Sequence, residues 1–266
     1  MYDYHTHSNF SDDSNTPMEE MVKAAISKNI KEIAVTDHYD PDYPDNSMPF
    51  GLDMLPYQKE MERLSDLYRD KIKVIKGIEI GIQHGPTIKK CLDATLSYSY
   101  DFVIGSFHSA HGATLDQSDY HKDRDSKKAS LDYYEYVYNC INEFDNYDVL
   151  GHINVIDRYV DEIQPSKVYT DHVEEILKHL VQNGKGLEIN TSSFRYKLGD
   201  RTTPPLEFLK LYIELGGEII TTGSDAHSTD YVGYKLDFAE NMIKKAGHKY
   251  VATFHNRKLI QHKLDL

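Results

Sequence analysis

The chain has 266 residues, with 30 Lys+Arg against 43 Asp+Glu, a net charge of -13 and 14 His. A broad acidic surface excludes duplex binding of the counterion-releasing kind, and no polybasic segment offers a membrane anchor. His makes up about 5% of the residues, and imidazole is both the commonest metal ligand and the proton carrier of neutral pH.

Length and a 39% apolar share fit one sizeable domain, residues 1–266, with its own core. Cys91 and Cys140 sit in no metal or redox spacing, and the N-terminus has neither a basic nor an apolar leader segment. A reduced, cytoplasmic protein is the expectation. No run reaches the length of a membrane span, and nothing in the sequence sets an oligomeric state.

In chain order, a short strand at Tyr2–His5 leads to Thr16-Pro17-Met18-Glu19, which reads as a capping box opening a helix to about Asn29. Apolar, β-branched runs follow at Lys31–Thr36, Ile72–Ile80, Asp101–Phe107, Tyr147–His152, Lys185–Asn190 and Glu218–Thr222. Helical periodicity occupies Pro56–Tyr68, Ser130–Phe144, Thr170–Asn183, Pro204–Leu215 and Lys235–Ala246, and Gly184 and Gly216 stand at helix stops. Asp40–Met54 and Gly112–Lys128 are polar and read as loops over one end, candidate lids. Seven strands alternating with helices predict an α/β fold, a closed or nearly closed barrel of parallel strands. No glycine-rich nucleotide motif favours an open sheet.

Residues suited to metals recur where these strands end. They are His5 and His7, His38, Glu79, His108, His152, and Asp225 with His227. The steps from His7 to 38, 79, 108, 152, 190 and 225 are 31, 41, 29, 44, 38 and 35 residues, each about one βα unit. A barrel brings all those ends to one mouth, where active sites are built. In His5-x-His7 and Asp225-x-His227 the i, i+2 spacing turns both side chains the same way along an extended strand. So many imidazoles and carboxylates exceed the ligands of one zinc and imply two or three ions. Without thiolates the set suits Zn, Mn, Fe or Co.

These motifs (HTH, TDH, GIE, SFH, GH and SDAH) resemble the PHP (polymerase and histidinol phosphatase) superfamily from His5 to His227. Within it, the length and the long segment between His38 and Glu79 are similar to the histidinol-phosphate phosphatases. The resemblance implies a distorted (β/α)7 TIM-like barrel with three divalent metal ions. It implies that His5, His7, Glu79 and Asp225 hold the first ion, and that Glu79 bridges to a second completed by His108 and His152. Asp13, His38 and His227 would hold the third, with Asp12 as the neighbouring alternative to Asp13. Arg158 and Arg195 become clamps for a substrate phosphate, a task for which bidentate guanidinium groups are suited. Metal-assisted hydrolysis is expected, by a hydroxide shared between two ions in a net positive pocket, with Glu79, His38 and Asp225 as the catalytic residues. His38, Asp225 or a metal-bound water would protonate the leaving group, and Asp37 would either orient His38 or cap its loop. The partners implied are a small phosphorylated substrate, L-histidinol phosphate, and inorganic phosphate, with no nucleic acid and no membrane. A nuclease or nucleotide phosphatase, a protein-tyrosine phosphatase and a non-catalytic metal-storing barrel are the competing readings. His84 and His111 are candidates for substrate contact; His121, His172, His179, His248, His255 and His262 read as surface or packing residues.

Overall fold

The computed structural model describes residues 1–196, 198, 201 and 203–264. Seven strands run β1 (Tyr2–Asp3), β2 (Glu32–Val35), β3 (Lys73–Gly81), β4 (Phe102–Ser106), β5 (Val149–Leu150), β6 (Gly186–Asn190) and β7 (Ile220–Gly223), and a two-residue strand at His38–Tyr39 adds to the C-terminal half of β3. Neighbours in space are neighbours in sequence, and every pairing in this sheet is parallel. Strand β7 closes against the first strand just past its end: Tyr4 N–H donates to the Thr222 carbonyl at 2.9 Å and Asp225 N–H to the His5 carbonyl at 2.8 Å. The sheet is therefore a barrel, as expected from seven βα units.

Helices α1 (Met18–Ser27), α2 (Met54–Tyr68), α3 (Thr87–Leu96), α4 (Ser126–Ile141), α5 (Thr170–Gln182), α6 (Leu206–Glu214) and α7 (Leu236–Lys245) follow the seven strands in turn. Each has one apolar stripe. In α5, Val173, Ile176, Leu177 and Leu180 are buried at i, i+3, i+4 and i+7. The strands are buried on both faces, which is why they read as continuous apolar runs. Gly184 (φ +62°) and Gly216 (φ +96°) end helices in the left-handed region, as their positions predict.

Several elements differ from the sequence reading. The capping box does not form: Pro17 takes the N-cap position, and Thr16 Oγ1 donates instead to the His227 carbonyl at 3.3 Å. Tertiary contact with the strand-seven loop displaces the local motif. Helix α3 falls in a stretch the sequence reading left unassigned. The segment Gly112–Lys128 is not wholly loop, since Ser109–Ala110 pairs with Ala113–Thr114 and α4 begins at Ser126. The C-terminal stretch forms an antiparallel hairpin, β8 (Tyr250–His255) with β9 (Lys258–Lys263).

That hairpin seals the end of the barrel opposite the strand C-termini. The Phe254 ring packs on Phe102, which meets Tyr4 edge-on, and Phe254 N–H donates to the Tyr4 hydroxyl at 3.1 Å. Tyr4 in turn donates to Glu32. Arg257, at the hairpin turn, reaches Asp148 with Nε 2.6 Å from Oδ2. Among the described residues no helix is long and apolar enough to cross a membrane.

Candidate functional site

The open end of the barrel collects the strand-end residues. The His5 and His7 side chains follow β1, His38 pairs in register with Glu79, and His108, His152 and Asp225 each lie two residues past the end of a strand. Glu79 is fully buried at the centre. Its Oε2 faces His5 Nε2 at 3.2 Å, His7 Nε2 at 3.5 Å and His38 Nδ1 at 2.9 Å. Its Oε1 faces His152 Nε2 at 3.0 Å and His108 Nε2 at 3.5 Å. Asp225 Oδ1 lies 3.4 Å from His7 Nε2. Asp13 Oδ2 lies 2.9 Å from His227 Nε2 and 3.6 Å from His38 Nε2. All nine sequence candidates for metal binding thus converge, and Glu79 touches both halves of the cluster. Asp12 does not join them: its Oδ2 accepts the Phe50 N–H at 2.8 Å.

The donor set fits divalent ions. His5 Nε2, His7 Nε2, His38 Nδ1 and Glu79 Oε2 are buried, crowd one another and have no hydrogen-bond partner, a costly arrangement unless a cation lies among them. Four overlapping triads bring their ligand atoms within 4.8 Å: His5/His7/Asp225, His5/Glu79/His152, His38/Glu79/His108 and His7/His38/His227. Burial pushes Glu79 up, yet the His5, His38 and His108 imidazoles outweigh it and hold the carboxyl well below the usual range. Burial alone depresses His5 and His38, but Glu188 and Glu79 beside the former and Glu79 and Asp13 beside the latter hold both well above the usual imidazole range. The pocket draws positive charge strongly.

The imidazoles are held from behind by groups the sequence reading missed. His5 Nδ1 lies 2.6 Å from Glu188 Oε1, and His108 Nδ1 lies 2.6 Å from Asp40 Oδ2. His7 Nδ1 lies 3.3 Å from Ser11 Oγ, which donates to Asp37 at 2.7 Å. Of the two roles the sequence allows Asp37, it therefore takes loop capping and does not orient His38. It accepts from the Ser8 N–H, the Ser8 hydroxyl and the Ser11 hydroxyl. A signal for Glu188 was present, an acid inside the apolar strand Gly186-Leu-Glu-Ile-Asn190, two residues before Asn190 and so on the same face.

Above the cluster lies a cavity of about 220 Å³ lined by Asp13, His38, His108, His152, Asp225 and His227 at its floor. Arg158 also lines it, with Nη2 3.4 Å from Asp225 Oδ2 and its guanidinium over the Tyr196 ring. Tyr43, Phe50 and Tyr159 form walls, and Asp45 and Asp116 lie at its edge. The two polar loops meet here: Gln117 Nε2 donates to Asp45 Oδ2 at 2.9 Å. Arg195 does not line the cavity. It donates to the Ser224 carbonyl at 3.0 Å and the Asp225 carbonyl at 2.6 Å, and stacks on Tyr231. His84 pairs with Glu143 at 3.0 Å and His111 packs on Tyr136, both away from the cavity.

A model of the PHP domain matches residues 3–192. The chain belongs to the PHP domain family. Histidinol-phosphatase of Lactococcus lactis is 32% identical over 99% of this chain and 98% of its own length. A probable histidinol-phosphatase of Clostridium acetobutylicum is also 32% identical, over 98% of this chain and 99% of its own. The Lactococcus lactis enzyme has been solved with zinc, L-histidinol and phosphate. It superposes with a TM-score of 0.89 at 30% identity, covering 97% of this chain and 98% of that one. This PHP chain thus shares its distorted (β/α)7 barrel with a phosphomonoesterase along almost the whole length.

Proposed function

We propose that the protein hydrolyses L-histidinol phosphate to L-histidinol and phosphate in histidine biosynthesis. The observation that carries this reading is the convergence of nine metal-suited side chains at one barrel mouth, six of them lining a cavity that Arg158 also lines. Two relatives matched over almost their whole length are a histidinol-phosphatase and a probable histidinol-phosphatase, and the Lactococcus lactis enzyme has been solved with zinc, L-histidinol and phosphate.

His5, His7, Glu79 and Asp225 would hold one divalent ion, Glu79 with His108 and His152 a second, and Asp13 with His38 and His227 a third. Bound there, such ions act as Lewis acids and lower the pKa of water enough to supply a nucleophile near neutral pH. Arg158 binds non-bridging phosphate oxygens. Its guanidinium is pre-aligned by Ser192 and Asp225, so little side-chain freedom is lost on binding. Arg195 acts one step back, fixing the Ser224–Asp225 carbonyls and with them the Asp225 side chain. Asp225 Oδ2 faces the Arg158 guanidinium and the Asn190 amide, and against the effect of burial the neighbouring imidazoles hold its carboxyl well below the usual range, while both His38 nitrogens face carboxylates; the leaving oxygen would therefore take its proton from water at the cluster. The aromatic walls exclude water from the ester. Asp45 and Asp116 at the edge suit the cationic ammonium and imidazole of histidinol and disfavour a polyanionic strand.

A substrate panel tests the reading, with histidinol phosphate against nucleotides, a phosphotyrosine peptide and single-stranded DNA, each with Zn, Mn, Fe or Co. Histidinol phosphate should lead in kcat/KM by roughly tenfold or more, about 1.4 kcal/mol of transition-state preference. Preference for any of the other three refutes it.

A further inference from the structure

Glu188 belongs to none of the triads that could share an ion, yet it is 1% exposed beneath two of them. Its two oxygens have separate partners. Oε1 lies 2.6 Å from His5 Nδ1. Oε2 accepts the His152 backbone N–H at 2.9 Å and the Asn190 side-chain amide at 3.2 Å. The same Asn190 nitrogen lies 3.3 Å from Asp225 Oδ2. A carboxylate only accepts, so the ring proton of a neutral His5 sits on Nδ1 and the lone pair on Nε2. That Nε2 faces Glu79 and Asp225 and has no hydrogen-bond partner. His5 takes part in two triads, with His7 and Asp225 and with Glu79 and His152.

We infer that Glu188 is a positioning residue for the metal cluster: it fixes His5 in the tautomer that offers Nε2 to an ion, while anchoring the His152 backbone and the Asn190 amide beside Asp225. Only a carboxylate meets both demands, because donors approach each of its ends. A glutamine would present one acceptor and one donor. Turned one way, its amide N–H₂ meets His5 Nδ1 and drives the ring proton onto Nε2. Turned the other way, it meets the His152 and Asn190 N–H groups. Gly223 packs against both partners: a Cβ added there would lie 2.4 Å from Glu188 Oε1 and 2.4 Å from His5 Cβ.

The inference rests on the metal-cluster reading above, and its test separates the two. Zinc binding to the full chain is titrated for wild type and Glu188→Gln, with metal content measured after dialysis. The wild type retains its ions; E188Q binds at least one ion about 10- to 100-fold more weakly, the usual effect of removing such a support. Binding of the Asp13/His38/His227 ion stays near normal. Imidazole ¹⁵N spectra of the zinc-loaded wild type show a protonated Nδ1 and a metal-bound Nε2 for His5. A wild type that binds no divalent ion overturns the metal reading itself. A wild type that binds ions, with unchanged affinity and stoichiometry in E188Q, overturns the role of Glu188 alone. The wild-type spectrum decides independently of whether E188Q folds, since a His5 coordinated through Nδ1 also overturns it.

Discussion

Gly81 ends β3 directly against Asp40, the residue that holds His108. A Cβ built there would lie 2.1 Å from Asp40 Cγ, 2.2 Å from Oδ2 and 2.6 Å from Oδ1. Nothing tolerates such distances, so Gly81→Ala must push the Asp40 carboxylate aside. Asp40 is 2% exposed, and overpacking of a buried site costs about 1–3 kcal/mol. For a chain of this size that is roughly 2–4 °C in Tm for each kcal/mol. The three nearest atoms all belong to that carboxylate. In an Asp40→Ala background the same substitution should therefore cost nothing, or stabilise by up to about 1 kcal/mol through a stiffer unfolded chain. Urea unfolding of the metal-free wild type, both single variants and the double variant gives the coupling energy, expected at about 1–3 kcal/mol. Equal costs of G81A in both backgrounds would falsify the steric account. The displaced carboxylate also releases His108 Nδ1, so G81A should weaken ion binding as well.

Glu79→Gln should remove most bound metal and lower turnover by three orders of magnitude or so, since five imidazoles face this one carboxylate; metal analysis and kinetics check it, and near-normal content contradicts the bridging role. Arg158→Lys should weaken histidinol phosphate binding by about 10- to 100-fold with ion content intact, because a point charge replaces a two-pronged donor; unchanged KM and kcat remove Arg158 from the phosphate site. Chelation should abolish activity and lower Tm, as ions that bind only the folded state stabilise it by mass action; a melting curve indifferent to chelator contradicts a resident cluster. Arg257→Ala should destabilise by about 1–3 kcal/mol at neutral pH and less in acid. Burial already raises the Asp148 carboxyl, Arg257 opposes that, and losing the guanidinium raises it further. A group raised on folding favours the folded state only while protonated, so the deficit should grow as pH climbs through the carboxylate range and then level off. A deficit independent of pH would assign Arg257 to packing only.

The sequence made the barrel legible because strands buried on both faces read as apolar runs and the intervening helices carry a period of 3.6. The cluster was legible for a related reason: one βα unit separates each strand end from the next, so ligand types at that spacing must share a mouth. Elements that depend on distant partners were hidden. Thr16 looks like a helix cap in its own segment, but the His227 carbonyl, 211 residues away, claims its hydroxyl. The hairpin Tyr250–Lys263 carries four polar or charged residues on its exposed strand, and only its docking on Phe102 and Asp148 gives it a buried face. Arg195 follows a strand end as Arg158 does, yet the local turn after Asn190 points it to carbonyls behind the cavity.

The charge pattern also changes with the structure in view. The family resemblance implies a net positive pocket within a chain that is acidic overall. Asp37, Asp40, Glu79, Glu188 and Asp225 are in fact all buried at the barrel mouth, with Asp13 partly so. With the three divalent ions proposed above in place, six carboxylates would leave that region close to neutral before Arg158 is counted. A phosphate dianion is then attracted less by net charge than by oriented donors and open ligand positions at one spot. Such a field is short-ranged, and it is surrounded by Asp45 and Asp116. A small ester with a cationic tail satisfies both parts of it, whereas the second and third phosphates of a nucleotide or a DNA backbone would have to lie against the acidic edge. Salt should therefore weaken binding of histidinol phosphate only slightly and relieve exclusion of polyanions, the opposite of what a basic groove would give.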